Sequence, residues 1–253
     1  MKFSRLSKIS LLLAGFFFLD KVLAFVRQIL IARQFGLSAE LDAFNVANNI
    51  PDLLFALISG GALAIAFIPV LTEVLTKAGK KPAWLLFSRI ANLAFLVTVL
   101  LAIIVAIFAA PMVKAEFGIA PGFGAEQQRM VINLMRLNLI ATLIFSISGL
   151  VMAGLQANQH FLLPAMAPLF YNIGQIIGVT ILSPEQGYTI GGFQLPAFGL
   201  GVHGLVYGVI IGAALHLAIQ IPGLVKFHFK WSASLNWRDA DVVKVLRLMG
   251  PRL

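Results

Sequence analysis

Long apolar runs separated by short polar or basic connections dominate the chain. A helix that crosses a bilayer needs about 20 predominantly apolar residues. Six segments meet that length: Ser10–Phe35, Leu41–Leu75, Trp84–Val113, Met130–Gln156, Leu162–Leu182 and Gly199–Val225. The second is long and is interrupted by Pro51 and by Gly60-Gly61. Proline removes a backbone donor and kinks a helix, a defect that membrane helices tolerate where neighbours cover the break. The pattern predicts an all-α, polytopic membrane protein. Lys2, Arg5 and Lys8 before the first apolar run have the look of a signal peptide, but no A-x-A cleavage site follows. Asp20 and Lys21 arrive instead, and the apolar pattern resumes past Arg27, so the expectation is an uncleaved first helix.

Charge in the connections sets the expected orientation. Lys2, Arg5 and Lys8, then Lys77, Lys80 and Lys81, then Lys226, Lys230, Arg238, Lys244 and Arg247 fall on one side of the alternating segments. The other connections carry Arg33, Lys114 and, between Ser183 and Gly199, no lysine or arginine. The positive-inside rule then places the N-terminus in the cytoplasm of a cell (inner) membrane protein. Residues 1–225 form the expected transmembrane unit. Residues 226–253 are the expected cytoplasmic linker, rich in Trp231 and Trp237, followed by the start of a further helix that Asp239 or Asp241 would cap. That helix meets Gly250-Pro251 and stops, which reads as a chain lacking its C-terminal part. The G-x-x-x-G pairs Gly174–Gly178, Gly204–Gly208 and Gly208–Gly212 predict close helix packing within the chain rather than a dimer face.

Composition agrees. Hydrophobic residues make up 60% and charged residues 11%, with a mean hydropathy of +0.94, against about 25% charged in a soluble domain. The net charge of +9 lies mostly between apolar runs, without the aromatic-basic interleaving that suits nucleic acid. The absence of cysteine excludes disulfides, thiolate metal sites and a cysteine nucleophile. His160, His203, His216 and His228 are scattered without metal spacing, no phosphate-binding glycine loop precedes a helix, and no catalytic set stands out. The reading is a non-enzyme without a cofactor.

The informative residues are ionisable groups inside apolar segments, which are costly there and usually face a partner or a cavity. In the first segment Asp20, Lys21, Ala24, Arg27, Gln28 and Gln34 fall within an arc of roughly 140°. Two uses are open: an internal pair of Asp20 with Arg27, one heptad apart, or a stripe lining a water-filled cavity. In the second, Asp42, Asn45, Asn49, Asp52, Ala56 and Ser59 recur at steps of three and four, which keeps them on one face. In the fourth, Arg129, Asn133 and Arg136 share a face, Arg136 about two turns deeper than Arg129. Cationic side chains at depth suit an anionic, phosphate-bearing ligand.

Several runs resemble the MurJ/MviN lipid II flippases. They are Lys21-Val-Leu-Ala-Phe-Val-Arg27, Ala32-Arg33-Gln34-Phe35-Gly36, Asp42-Ala43-Phe44, Pro51-Asp52-Leu53-Leu54 and Ala66-Phe67-Ile68-Pro69-Val70-Leu71. Further on come Gly154-Leu155-Gln156-Ala157-Asn158, the Phe161–Pro168 run with Asn172, and Val245–Pro251. The resemblance implies a two-lobe exporter fold. This chain would supply the six-helix N-terminal lobe and the start of the seventh helix. It implies translocation of lipid II, an undecaprenyl-pyrophosphate-linked peptidoglycan precursor, to the outer leaflet by alternating access for cell-wall synthesis, by a monomeric full-length transporter with this lipid-linked anionic glycan and membrane lipids as partners. On it, Lys21 and Arg27 match two basic cavity positions, Asp42 an acidic position at the outer gate, and Arg136 a basic position on the fourth helix. Asn49 and Asp52 join them as candidate substrate contacts from the polar stripe. Departures are Phe55 where the family commonly has arginine, Gly60-Gly61-Ala62-Leu63 where Glu-Gly-Ala-Phe is usual, and Asp20 where serine is usual, which make the cavity less cationic. The alternatives are an exporter of another undecaprenyl-linked glycan and a non-transporting membrane scaffold of the same fold.

Overall fold

The structure is a computed structural model that describes residues 5–56 and 62–250. Lys2, Ser59, Gly60-Gly61 and Pro251 lie outside the described residues. Nine helices are described: α1 Arg5–Phe35, α2 Ala39–Phe55, α3 Ala62–Lys77, α4 Lys80–Lys114, α5 Ala125–Ala157, α6 Leu162–Ile177, α7 Val202–Ala218, α8 Ile221–Lys226 and α9 Ala240–Met249. A π-helical turn, Gly178–Leu182, continues α6. Four helical stretches are long and apolar enough to cross a membrane: α4, α5, α6 with its π turn, and α7 running into α8. Of the long second segment, α2 accounts for 17 described residues and α3 for 16. Pro51 is buried inside α2.

Local chemistry fixes the ends. Ser38 caps α2 by accepting the amide of Leu41 at 3.2 Å, and Glu40 and Asp42 sit in the first turn, where the helix dipole favours acids. The connection after α6 holds a two-residue hairpin, Thr189–Ile190 against Phe193–Gln194. Its turn is Gly191-Gly192, both at positive φ, the chemistry of a tight hairpin. Asp239 caps α9 through the amides of Asp241 and Val242 at 3.1 and 3.3 Å.

The glycine pairs form one seam. A Cβ on Gly174 would meet the backbone of Gly212, one on Gly178 would come within 2.7 Å of Gly208 Cα, and one on Gly204 within 2.5 Å of Ser183 Oγ. The antiparallel α6 and α7 therefore approach backbone to backbone, as small residues allow.

Two hydrophobic cores stack along the bundle. One joins α2, the later part of α4, the first half of α5 and the start of α7 around Phe44, Leu134, Met135 and Val206. The other joins α3, the start of α4, the end of α5 and α9 around Phe67, Leu71, Phe87, Leu155 and Val245. This second core lies at the end carrying Lys77, Lys80, Lys81 and Lys226, called here the lysine-rich end. A strap of chain, residues 227–239, runs back along α4 there. Trp84 Nε1 donates to the Phe227 carbonyl at 3.2 Å, Asn92 Nδ2 donates to the carbonyls of Ser232 and Ser234 at 2.8 and 2.9 Å, and Arg89 Nη1 meets Asp239 Oδ2 at 2.6 Å. Lys244 on α9 pairs with Glu73 on α3 at 2.5 Å.

Candidate functional site

Beside the first core, α1, α2, α5, α6 and α7 line two adjoining chambers. The polar chamber, about 240 Å³, is lined by Arg27, Asn45, Asn48, Asp52 and Gln175 among others. The aromatic chamber, about 260 Å³, is lined by Phe55, Phe145, Thr142, Pro168 and His216. Asp52, Asn138, Tyr171 and Val209 belong to both. Phe145 organises the aromatic side, with ring centroids 5.2 Å from Phe55, 5.2 Å from Tyr171 and 5.4 Å from His216.

A polar relay holds the cation. Arg27 Nη1 donates to Asn172 Oδ1 at 2.9 Å, and Asn172 Nδ2 donates to Asp20 Oδ1 at 2.8 Å. Asp20 is 8% exposed and Asn172 is 3% exposed. Asp20 and Arg27 thus form no direct pair, and of the stripe Arg27 and Gln28 line the polar chamber. Asp20 and Arg27 stand about 10.5 Å apart along the helix axis, seven residues at 1.5 Å each. Asn172 from α6 closes that gap, and Arg27 still reaches the polar chamber. Arg27 Nε is buried with no hydrogen-bond partner among the described residues. Asn138 Oδ1 is likewise buried without one, while its Nδ2 donates to Asn48 Oδ1 at 2.5 Å. Among the described residues the site's buried side-chain atoms thus include an unpaired cationic donor and an unpaired neutral acceptor.

The candidate residues divide. Arg27 and Asp52 line the chambers, Asp52 both of them. Lys21 is 80% exposed and pairs with Asp20 at 3.2 Å, outside the lining of either chamber. Asp42 and Asn49 are exposed on α2 and also lie outside both linings, whereas Asn45 and Asn48 face in. Arg136 points across to α4, its Nε donating to the Ala106 carbonyl at 2.9 Å. Gln34 is engaged outside the chambers, where it accepts the Tyr188 hydroxyl at 2.6 Å.

The profile of the family described as "Lipid II flippase MurJ" matches residues 31–253. The chain belongs to the MurJ family. A probable lipid II flippase MurJ of Buchnera aphidicola subsp. Acyrthosiphon pisum is 30% identical over 237 residues, covering 93% of this chain and 43% of that protein. The lipid II flippase MurJ of Burkholderia cenocepacia is 31% identical over 248 residues, covering 95% of this chain and 45% of the other. A solved structure described as lipid II flippase MurJ in an inward closed conformation superposes with a TM-score of 0.69 at 19% identity, over 94% of this chain and 47% of that one. This likeness carries the fold. The chain spans about half the length of the MurJ relatives it matches, and it is a membrane-spanning, all-α polypeptide.

Within this MurJ-family chain the residues that complete the site had a visible sequence signal. Tyr171, Asn172 and Gln175 recur at steps of one and three inside the apolar fifth segment, and Asn138 follows Arg136 by two positions. Amides in apolar runs mark a polar face as surely as charges do. His216, 8% exposed, shares a 2.7 Å hydrogen bond with Ser148 Oγ. Gln220 Nε2 donates to the same hydroxyl at 3.0 Å, so the imidazole is tied into packing between α5 and α7.

Proposed function

We propose that the complete protein translocates lipid II from the cytoplasmic to the outer leaflet of the cell membrane for cell-wall synthesis. This chain is its N-terminal lobe, residues 1–225, with a linker and the start of the next helix in 226–253. Membership of the family and the fit of the site support the reading. The observation that carries it is Arg27: a guanidinium oriented by Asn172 and Asp20, with an unpaired Nε, facing a polar chamber beside an aromatic one. A preorganised arginine fork suits a pyrophosphate, and the aromatic wall suits the apolar or sugar portion of the same molecule. Two chambers of this size hold only part of a lipid-linked glycan, so the remainder of the cavity belongs to the second lobe. Alternating access follows if the lobes rock about that shared site.

In this reading Arg27 contacts phosphate directly. Asp52 and Asn49 set polarity along α2, and Lys21 and Asp42 face the opposing lobe, the latter at the outer gate. Arg136 braces α4 against α5. The N-terminus and the lysine-rich end lie in the cytoplasm, a reading that the basic connections support. The full-length protein acts as a monomer, without catalysis or cofactor. Native mass spectrometry of the full-length protein tests this by comparing lipid II binding of wild type and Arg27→Ala, with another undecaprenyl-pyrophosphate glycan as competitor. Loss of a charge-assisted pair, about 1.5–3 kcal/mol, lowers affinity roughly tenfold or more. Equal binding of the two glycans, or an unchanged affinity in the variant, refutes the substrate or the clamp respectively.

A further inference from the structure

A second cavity lies far along the bundle from Arg27, at the lysine-rich end between the first turn of α4 and the strap. It encloses about 690 Å³, within the roughly 300–1,000 Å³ of pockets that take small molecules. Lys80 and Lys81 reach it from α4, and His228 and Lys230 reach it from the strap. Pro82, Trp84, Leu85 and Trp231 supply apolar wall. No ion pair joins Lys80, Lys81 or Lys230 to a carboxylate among the described residues. Three ammonium groups around one cavity repel each other, and that repulsion is relieved when an anion sits among them.

The strap is held in the shape that makes this cavity. His228 takes a left-handed conformation, φ 58°, which is uncommon for a residue other than glycine. The chain then returns along α4, fixed by Asn92 and by the amide of Ser232 on Ser88 Oγ at 3.2 Å. Trp231 is 65% exposed, yet its Nε1 is satisfied by Asn92 Oδ1 at 2.9 Å. An outward indole ring with its polar atom already paired suits the boundary between headgroups and acyl chains.

We propose that this cavity binds an anionic phospholipid of the surrounding leaflet. Its phosphate lies among Lys80, Lys81 and Lys230, and its glycerol and upper acyl chain lie against Leu85 and Trp231. The walls favour a lipid over a soluble phosphate, because a free ion leaves the apolar surface uncovered. The bound lipid ties α4 to the strap, on the chain leading into α9. None of these residues lines the Arg27 site, so the inference stands apart from the translocation reading.

The test is native mass spectrometry of the full-length protein in detergent. It measures the affinity of the first bound phosphatidylglycerol against phosphatidylcholine of the same acyl chains, with inorganic phosphate as a third arm. The wild type prefers phosphatidylglycerol. Combining Lys80→Gln, Lys81→Gln and Lys230→Gln raises its Kd at least tenfold and leaves phosphatidylcholine unchanged. The exposed lysines make this variant fold normally, which its melting midpoint verifies. A control of equal charge change at the same end, combining Lys226→Gln, Arg238→Gln and Arg247→Gln, leaves the preference in place. The proposal is overturned by unchanged affinity in the first variant, by an equal loss in the control, by displacement of the lipid by inorganic phosphate, or by no preference between the two lipids.

Discussion

Replacing Asn172 with alanine removes the link between α1 and α6 without touching a charge. Two charge-assisted hydrogen bonds disappear, Arg27 Nη1 to Asn172 Oδ1 at 2.9 Å and Asn172 Nδ2 to Asp20 Oδ1 at 2.8 Å. Hydrogen bonds to charged groups contribute about 1.5–3 kcal/mol each. Arg27 opens onto the polar chamber, where water can replace part of its loss, whereas Asp20 is 8% exposed and has little such recourse. The sum is therefore roughly 2–4 kcal/mol, and it falls on the docking of α1. Hydrogen exchange of the full-length protein, followed by mass spectrometry over residues 20–28, reads that quantity directly. A loss of this size accelerates exchange there roughly 30- to 1,000-fold. Peptides from α4 and α5, which pack together through both cores, keep their protection. Unchanged exchange in α1 would refute the relay as a structural tie. Equal acceleration in α4 and α5 would show that Asn172 supports the whole bundle instead.

Gly178→Leu forces a side chain where even a Cβ would lie 2.7 Å from Gly208 Cα. Thermal unfolding should show a loss of about 1–3 kcal/mol or more from overpacking, while Gly15→Ala, with open space around it, serves as the neutral comparison. Phe55→Arg places a second cation beside Asp52, in the chamber where Phe55 now faces Phe145. It should tighten lipid II binding in the assay used for Arg27→Ala, and a weaker affinity would show that the aromatic wall matters more than the added charge. His160, in the turn between α5 and α6, has its pKa lowered from the usual 6.5 by burial and by the nearby Lys226 charge. The unfolded turn thus binds its proton more readily than the folded one. The turn is fully stable above the unfolded value and loosens as pH falls from about 6.5 through the lower folded one, so faster hydrogen exchange at residues 158–161 in mildly acid buffer is expected, and His160→Phe should abolish that pH dependence.

Membrane crossings were legible because a 20-residue apolar run has few other uses, and the glycine spacing announced the α6–α7 seam. Arg27 and Asp52 stood out as charges in such runs. The fate of the other candidates was not legible, since a helical wheel gives a face but not what stands opposite it. Lys21 shares an arc with Arg27, yet its long flexible stem turns back to Asp20. Arg136 lies two positions from Asn138, and that step of roughly 200° sends one to the Ala106 carbonyl and the other into the chambers. Asn172 was visible as part of a motif, but its role depends on meeting residues 145 and 152 positions away. Such long-range pairings are tertiary facts, with no local signature. The strap on α4 is hidden for the same reason: Arg89 and Asn92 read as charges and amides near a helix start, and only folding sets them against Ser234 and Asp239.

The placement of the site follows from where the first core gives way to polar side chains. Aliphatic packing is dense around Leu134 and Met135 in one core and around Phe67 and Leu155 in the other, but where α2, α5 and α6 meet beside the first core they carry asparagines, Asp52 and Pro168. Polar side chains there cannot pack as Leu and Val do, so the helices leave space that the chambers occupy. The helix that brings the cation to the polar chamber also exposes large apolar side chains. Leu11, Phe18 and Phe25 on α1 are each more than half exposed, and α1 packs chiefly on α6 and its π turn. An apolar exposed face gains nothing from choosing one rotation of the helix over another in lipid. The Asp20–Asn172–Arg27 relay supplies that choice, because hydrogen bonds in a medium of low dielectric are strong and directional. The same three side chains therefore fix which way α1 faces and where its guanidinium points, and any group that draws Arg27 away from Asn172 acts on both at once.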